Sequence, residues 1–167
     1  MPEVIFPGPE GRLEGRYHPQ KERDAPIAIL LHPHPQFGGT MNHKVVYNLH
    51  YAFYNMGFTV LRFNFRGAGG SQGTYNDGRG EIDDALEALR FLASQEGIEK
   101  DNVGLAGYSF GASVAMKAAL RDDLPKALSV VARARIDPDD DLKRRPSLPM
   151  QFVVGDLDRL MPLDQVN

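Results

Sequence analysis

Asn102-Val-Gly-Leu-Ala-Gly-Tyr-Ser-Phe-Gly111 places Ser109 between two glycines, directly after a short apolar run. A G-x-S-x-G segment between a strand and a helix forms a sharp elbow that exposes the serine Oγ at the edge of a sheet. A side chain in place of either glycine would collide with the neighbouring helix or strand. Small residues follow at helical spacing and would let a helix approach the sheet closely: Ala112, Ala115, Ala118 and Ala119.

Strand and helix patterns alternate along the rest of the chain. A continuous apolar run such as 26–32 is typical of a strand buried on both faces, and apolar residues at helical spacing over 43–56 predict a helix ended by Gly57. This alternation predicts an α/β fold with a mostly parallel sheet and helices on both faces. The predicted strands are 3–6 and 11–18 (an antiparallel pair at a sheet edge), 26–32, 58–65, 103–106, 127–132 and 150–154, with a second amphipathic helix over 82–92.

Polar residues follow three of the predicted strands. His32, Ser109 and the pair Asp156 and Asp158 each come just after a strand ends. In parallel sheets, ligands bind at the carboxyl ends of the strands. We therefore expect these residues to meet at one edge of the sheet although they lie far apart in sequence.

Composition limits the class of protein. At 167 residues the chain is expected to be one domain, and a net charge of −3 gives no reason to expect nucleic acid or an anionic membrane as a partner. The sequence has no cysteine, no basic and apolar leader, and no apolar stretch near the ~20 residues that cross a bilayer. A cytoplasmic, soluble protein is the expectation.

Four motifs in register resemble those of the α/β-hydrolases, and more narrowly of small, cap-less bacterial members of that superfamily. They are Leu31-His-Pro-His-Pro-Gln-Phe-Gly-Gly-Thr-Met41, Leu61-Arg-Phe-Asn-Phe-Arg-Gly67, Gly78-Arg-Gly-Glu81 and Ala106-Gly-Tyr-Ser-Phe-Gly111. The resemblance covers nearly the whole chain. It implies a single α/β-hydrolase domain over 1–167 without a cap. The short, charged segment 133–147, where a cap would be inserted, agrees with this.

The resemblance implies that Ser109 is a nucleophile and that the backbone N–H of Phe110 is one oxyanion donor. The second donor should come from the loop after His32. Prolines have no N–H, so Pro33 and Pro35 leave His34, Gln36 and Phe37 as candidates. Alignment with the family's His-Gly-x turns favours His34.

The family's acid should lie in Gly155-Asp-Leu-Asp158. Asp158 matches the family pattern and would orient a histidine, whereas Asp156 is the local rival and more typical of a turn-forming residue. That histidine should follow Asp158 after a helix and a strand, but the sequence ends at Asn167 in the first turn of that helix. All five histidines precede Ser109: His18, His32, His34, His43 and His50.

Three explanations of the absent base stay open. The chain is a fragment of a longer protein, it is an inactive truncation, or a histidine such as His34 or one from a neighbouring subunit substitutes. A truncated sheet would expose an edge strand, which makes a homo-oligomer plausible. His32-x-His34 near His43 is read as part of the oxyanion turn rather than as a metal site, and no metal or organic cofactor is expected.

Five further residues have expected roles away from the chemistry. His18 and His50 are predicted to lie on the surface or on a helix face. Arg62 and Arg66 are predicted to hold the loop 67–80, and Glu81 to stabilise the start of a helix.

The first hypothesis is a serine hydrolase that cleaves a carboxylic ester or a related small acyl substrate through an acyl-enzyme. A catalytically inactive binding or scaffold protein on the same fold is the alternative, since the triad histidine is absent. A peptidase of the same fold is a third, and the residues do not separate ester from amide substrates.

Overall fold

Two strands without a single exposed residue form the centre of the sheet. They are β3 (Ile27–Leu31) and β4 (Thr59–Phe63), and their apolar runs explain their burial on both faces. The computed structural model describes residues 2–22, 24–95, 98, 101–133 and 147–156. Its other strands are β1 (Glu3–Gly8), β2 (Gly11–His18), β5 (Val103–Tyr108), β6 (Ala127–Val131) and β7 (Met150–Val153). The helices are α1 (Lys44–Asn55), α2 (Arg79–Ala93) and α3 (Phe110–Arg121), with a 3₁₀ turn at Pro35–Phe37.

The described strands form one mixed sheet in the order β1-β2-β4-β3-β5-β6-β7. β1 and β2 pair antiparallel at one edge, and β3 to β7 run parallel to one another. The α/β fold class predicted from the alternation of patterns is confirmed. In the parallel register Leu31 of β3 pairs with Gly107 of β5, so the segments after these strands leave the sheet side by side.

Helices cover both faces of the sheet, as predicted. α2 and α3 pack on the face that carries Leu61, Phe63 and Leu105, and α1 packs on the opposite face over Ala28, Leu30, Val60 and Ala106. The four alanines expected to face the sheet from α3 are all buried. Because these side chains are small, α3 can pack close to β5, and so can the elbow from which the helix begins.

Only part of the apolar pattern predicted for α1 is buried. Val46 is fully buried, but Ala52 is exposed and Met56 is 62% exposed at the C-terminal end of the helix. His50, predicted to lie on the surface or on a helix face, lies on the inner face and is buried. An open groove of about 270 Å³ lies beside α1, and none of the predicted site residues lines it.

No helix in the described part of the chain is both long enough and apolar enough to span a membrane.

Candidate active site

Ser109 occupies a strained position between β5 and α3. Its backbone has φ 55° and ψ −116°, a region that non-glycine residues rarely adopt, and it forms the N-cap of α3. The Ser109 N–H donates to the Val131 carbonyl at 2.9 Å, which ties the elbow to the end of β6. The side chain is half-buried, at a helix N-terminus whose partial positive charge favours a developing anion.

Two close backbone approaches explain the glycines on either side of Ser109. A Cβ on Gly107 would lie 2.2 Å from the Gly111 carbonyl oxygen, within the turn that opens α3. A Cβ on Gly111 would lie 2.3 Å from the Leu31 carbonyl oxygen and 2.6 Å from that of His32. The second contact also presses the start of α3 against the end of β3, and so brings the loop after His32 to the elbow.

The loop 33–39 is closed by hydrogen bonds between its own residues. The Phe37 and Gly39 N–H groups both donate to the His34 carbonyl, and the Gln36 N–H donates to His34 Nδ1. Among the described residues, the His34 N–H has no acceptor, and neither has the N–H of Phe110. Of the three donors left open by the sequence, the one at His34 is thus unbonded and those at Gln36 and Phe37 are occupied.

His32 holds this loop from beneath. Its Nε2 accepts from the Phe65 N–H at 3.0 Å, so the ring proton lies on Nδ1 and is donated to the Pro33 carbonyl at 2.6 Å. Burial, with a smaller contribution from the charge of His43, lowers the pKa of His32 to about 4. His32 is therefore a neutral structural residue at pH 7.

Four aromatic rings lie close together, and one of them belongs to Phe110, the residue after Ser109. The His34 ring lies 4.9 Å, between centroids, from both the Tyr75 and the Phe110 rings, and 4.7 Å from the Phe37 ring. The Tyr75 hydroxyl lies 3.0 Å from His34 Nε2. Sequence reasoning did not single out Tyr75, and its only signal was an aromatic residue inside a Gly/Ser/Asn-rich loop.

No histidine among the described residues forms a hydrogen bond with the Ser109 hydroxyl. His43 accepts from the Val45 N–H at the start of α1 and stacks on Tyr108. His18 Nδ1 and His50 Nε2 lie 3.0 Å apart and bond to each other. Within the described ranges no cluster of three or more His, Cys, Asp or Glu side chains could hold a metal ion.

The described residues do not test the predicted acid. Asp156 follows β7 and is exposed. Asp158, the preferred candidate, lies outside the described residues, and its role stays a prediction. The same holds for the charged segment, of which 134–146 lies outside them.

Arg66 holds the loop predicted for it, whereas Arg62 holds a different one. Arg66 binds Asp84 of α2 and Glu10 of the β1–β2 turn, which pins the beginning of the long loop. Arg62 instead donates to the Met41 carbonyl and to Asn42, in the segment that leads into α1. The prediction for Arg62 was wrong because side chains along β4 alternate between the two faces of the sheet, and that of Arg62 lies on the α1 face.

Glu81 is buried, and its two carboxylate oxygens accept the Asn76 and Gly78 N–H groups at 2.9 and 2.8 Å. It closes the loop onto α2 as well as capping the helix.

Comparison with known proteins gives a consistent family. Residues 15–144 match the family model described as X-Pro dipeptidyl-peptidase (S15 family). A protein of unknown function from Agrobacterium tumefaciens, described as a candidate alpha/beta hydrolase, has a solved structure that is similar to this one. It is 47% identical, with a TM-score of 0.85, over 99% of this chain and 76% of its own. An α/β serine hydrolase without a lid from Xanthomonas campestris is 31% identical, with a TM-score of 0.79, over 99% of this chain and 75% of its own.

An uncharacterized protein of Rickettsia prowazekii is 50% identical over 121 residues. The match covers 72% of this chain and 50% of that relative, so the chain spans about half the length of this curated relative.

Proposed function

Because the chain belongs to the α/β-hydrolase superfamily, and within it matches the X-Pro dipeptidyl-peptidase (S15) family, we propose that Ser109 is the nucleophile of a serine hydrolase. The proposed substrate is a carboxylic ester or a related small acyl compound. One observation carries the proposal. The strained Ser109 stands at the start of α3, and among the described residues the N–H groups of Phe110, which directly follows it, and of His34, whose ring lies 4.9 Å from the Phe110 ring, have no acceptor.

This arrangement suits acyl transfer. Ser109 Oγ would attack the carbonyl carbon while a base takes the hydroxyl proton, and the carbonyl oxygen would become an oxyanion. The Phe110 and His34 N–H groups would hold that oxyanion, and each such donor is worth about 3–4 kcal/mol in the transition state. The C–O bond to the alcohol then breaks, the base returns the proton to it, and water hydrolyses the acyl-enzyme.

The base is the component that these residues do not supply. Among the described residues none of the chain's five histidines forms a hydrogen bond with the Ser109 hydroxyl, and each of them bonds another group through a ring nitrogen. We propose that a histidine other than these five takes the proton and that Asp158 orients it.

The first experiment is intact mass spectrometry of the full-length protein after exposure to a fluorophosphonate. One adduct is expected on the wild type and on Ser113→Ala, a matched serine within α3, and none on Ser109→Ala. Absence of an adduct on the wild type, or an adduct on Ser109→Ala, would refute the nucleophile. Rates on a p-nitrophenyl ester and an Xaa-Pro p-nitroanilide then separate an esterase from the amide activity named by the S15 description.

A non-catalytic binding protein is the second candidate, favoured by the absence of a base beside Ser109 among the described residues. It predicts no adduct together with retained binding of acyl compounds at the elbow. An adduct that depends on Ser109 excludes it.

A further inference from the structure

The proton of the His34 ring can be placed from its two hydrogen bonds. The Gln36 N–H can only donate, so His34 Nδ1 accepts, and in the neutral ring the proton lies on Nε2. Nε2 therefore donates to the Tyr75 oxygen, 3.0 Å away. The backbone of the 3₁₀ turn thus sets the direction of the bond between the two side chains.

The consequence for Tyr75 is a hydroxyl proton without a partner. Its oxygen accepts from His34, and within the described part of the chain its O–H has no acceptor. Burial, followed by the negative charges of Asp77 and Glu81, raises the pKa of Tyr75 above that of a free tyrosine. The hydroxyl therefore keeps its proton at neutral pH and stays a donor.

The position of this donor links it to Ser109. The Tyr75 ring lies 4.9 Å from the His34 ring and 6.0 Å from the ring of Phe110, the residue after Ser109, and these are the two residues proposed above to donate their N–H groups to the oxyanion. Phe37, whose ring lies 4.7 Å from the His34 ring, is 85% exposed, so this group of aromatic rings is open to solvent at Phe37. A substrate acyl group at Ser109 would lie against these rings.

The geometry points to Tyr75 as a specificity-determining residue that donates a hydrogen bond to the substrate, with His34 as its positioning residue. The preferred substrate then carries an acceptor oxygen, as an ether or hydroxyl, in the acyl chain next to the scissile carbonyl. This inference rests on the proposed function, because it places the acyl group at Ser109.

A matched pair of esters tests it in the full-length protein. Methoxyacetate and butyrate p-nitrophenyl esters have acyl chains of equal length and differ by an oxygen in place of a methylene. The quantity measured is kcat/KM for the methoxyacetate ester divided by kcat/KM for the butyrate ester. Comparing this ratio between the wild type and Tyr75→Phe cancels the intrinsic difference in reactivity between the two esters. A neutral hydrogen bond corresponds to about 2- to 12-fold, so the ratio should fall by roughly that factor in Tyr75→Phe.

Two further variants separate this role from a structural one. Tyr47→Phe, which removes an exposed hydroxyl on α1, should leave the ratio unchanged. His34→Ala should lower the ratio as Tyr75→Phe does, and the double variant should lower it no further, because both act through one donor. An unchanged ratio in Tyr75→Phe, or additive effects in the double variant, overturns the proposal.

Binding to Ser109→Ala gives a readout that needs no catalysis. Methoxyacetamide and butyramide, titrated against it by NMR, should bind with a preference for methoxyacetamide that Tyr75→Phe abolishes. If the fluorophosphonate adduct fails but this preference is found, the serine hydrolase proposal falls and the Tyr75 donor stands. If the adduct forms but neither preference depends on Tyr75, the Tyr75 donor falls alone.

Discussion

At the scale of single residues, two glycines make the elbow possible. Neither Gly107 nor Gly111 needs a positive φ, so conformational freedom is not what requires glycine there. The requirement is space, because a Cβ at either position would overlap backbone atoms that cannot move without shifting α3 or β3. Replacing either glycine should therefore displace Ser109 as well as destabilise the fold.

Two glycines of β5 provide a matched test of this requirement. A Cβ on Gly107 would lie 2.2 Å from a backbone oxygen, whereas one on Gly104 would lie no closer than 3.6 Å to its neighbours. We expect Gly107→Ala to lower the free energy of unfolding by about 1–3 kcal/mol, and Gly104→Ala to change it by less than about 1 kcal/mol. Urea denaturation measures both, and equal effects would contradict the steric argument.

At the scale of elements, the motif Gly78-Arg-Gly-Glu81 joins the long loop to α2. Gly78 has a positive φ of 82° at the N-cap. Gly80 leaves room for Arg66, whose guanidinium would lie 2.1 Å from a Cβ at that position. Glu81 accepts two loop N–H groups, so the helix start and the Tyr75 segment are held as one unit.

Glu81→Gln should loosen that unit. The amide NH₂ of glutamine would face a backbone N–H in place of an acceptor, and a buried donor left unpaired costs about 1–3 kcal/mol. Glu87→Gln, on the same helix but in a solvent-exposed pair with Arg90, should cost less than about 1 kcal/mol. Thermal or urea denaturation distinguishes the two variants, and a Glu81→Gln protein as stable as the wild type would disprove the cap.

At the scale of the whole molecule, burial of two histidines makes stability depend on pH. Burial lowers the pKa of His32 to about 4, and burial followed by the charges of Arg62 and His18 lowers that of His50 to about 4. The unfolded chain, with a pKa near 6.5 for these rings, takes up protons at pH values where the folded protein does not. The free energy of unfolding is therefore highest above pH 6.5 and falls as the pH drops towards 4.

Each histidine should lower the free energy of unfolding by about 2 kcal/mol between pH 7 and pH 5. Urea denaturation measures the free energy of unfolding at the two pH values. Its decrease from pH 7 to pH 5 should be about 2 kcal/mol smaller in His50→Gln than in the wild type. Asn48→Gln, an exposed position on the same helix, serves as the control and should behave as the wild type. The same loss in His50→Gln would mean that His50 is protonated in the folded protein.

The strands and helices were predicted well because the residues that determine each of them lie within a short stretch of sequence. The buried run 26–32, the helical spacing after Gly80 and the small residues after Ser109 each reflect which face of an element meets the core. α1 was predicted less well, since its inner face carries the buried His50 and its apolar Met56 is exposed at the C-terminal end. A polar residue on a buried face has no signature in the period of apolar residues.

Sequence by itself determined the α/β class, the elbow at Ser109 and the elimination of two prolines as oxyanion donors. Each follows from properties of a residue and its near neighbours: side-chain size, apolar spacing and a missing N–H. Tertiary structure alone decided which loop N–H is unbonded, which way His34 donates and that Tyr75 stands beside it. Those depend on hydrogen-bond partners up to 41 residues apart, and no local pattern records which of many polar groups the fold brings within 3 Å.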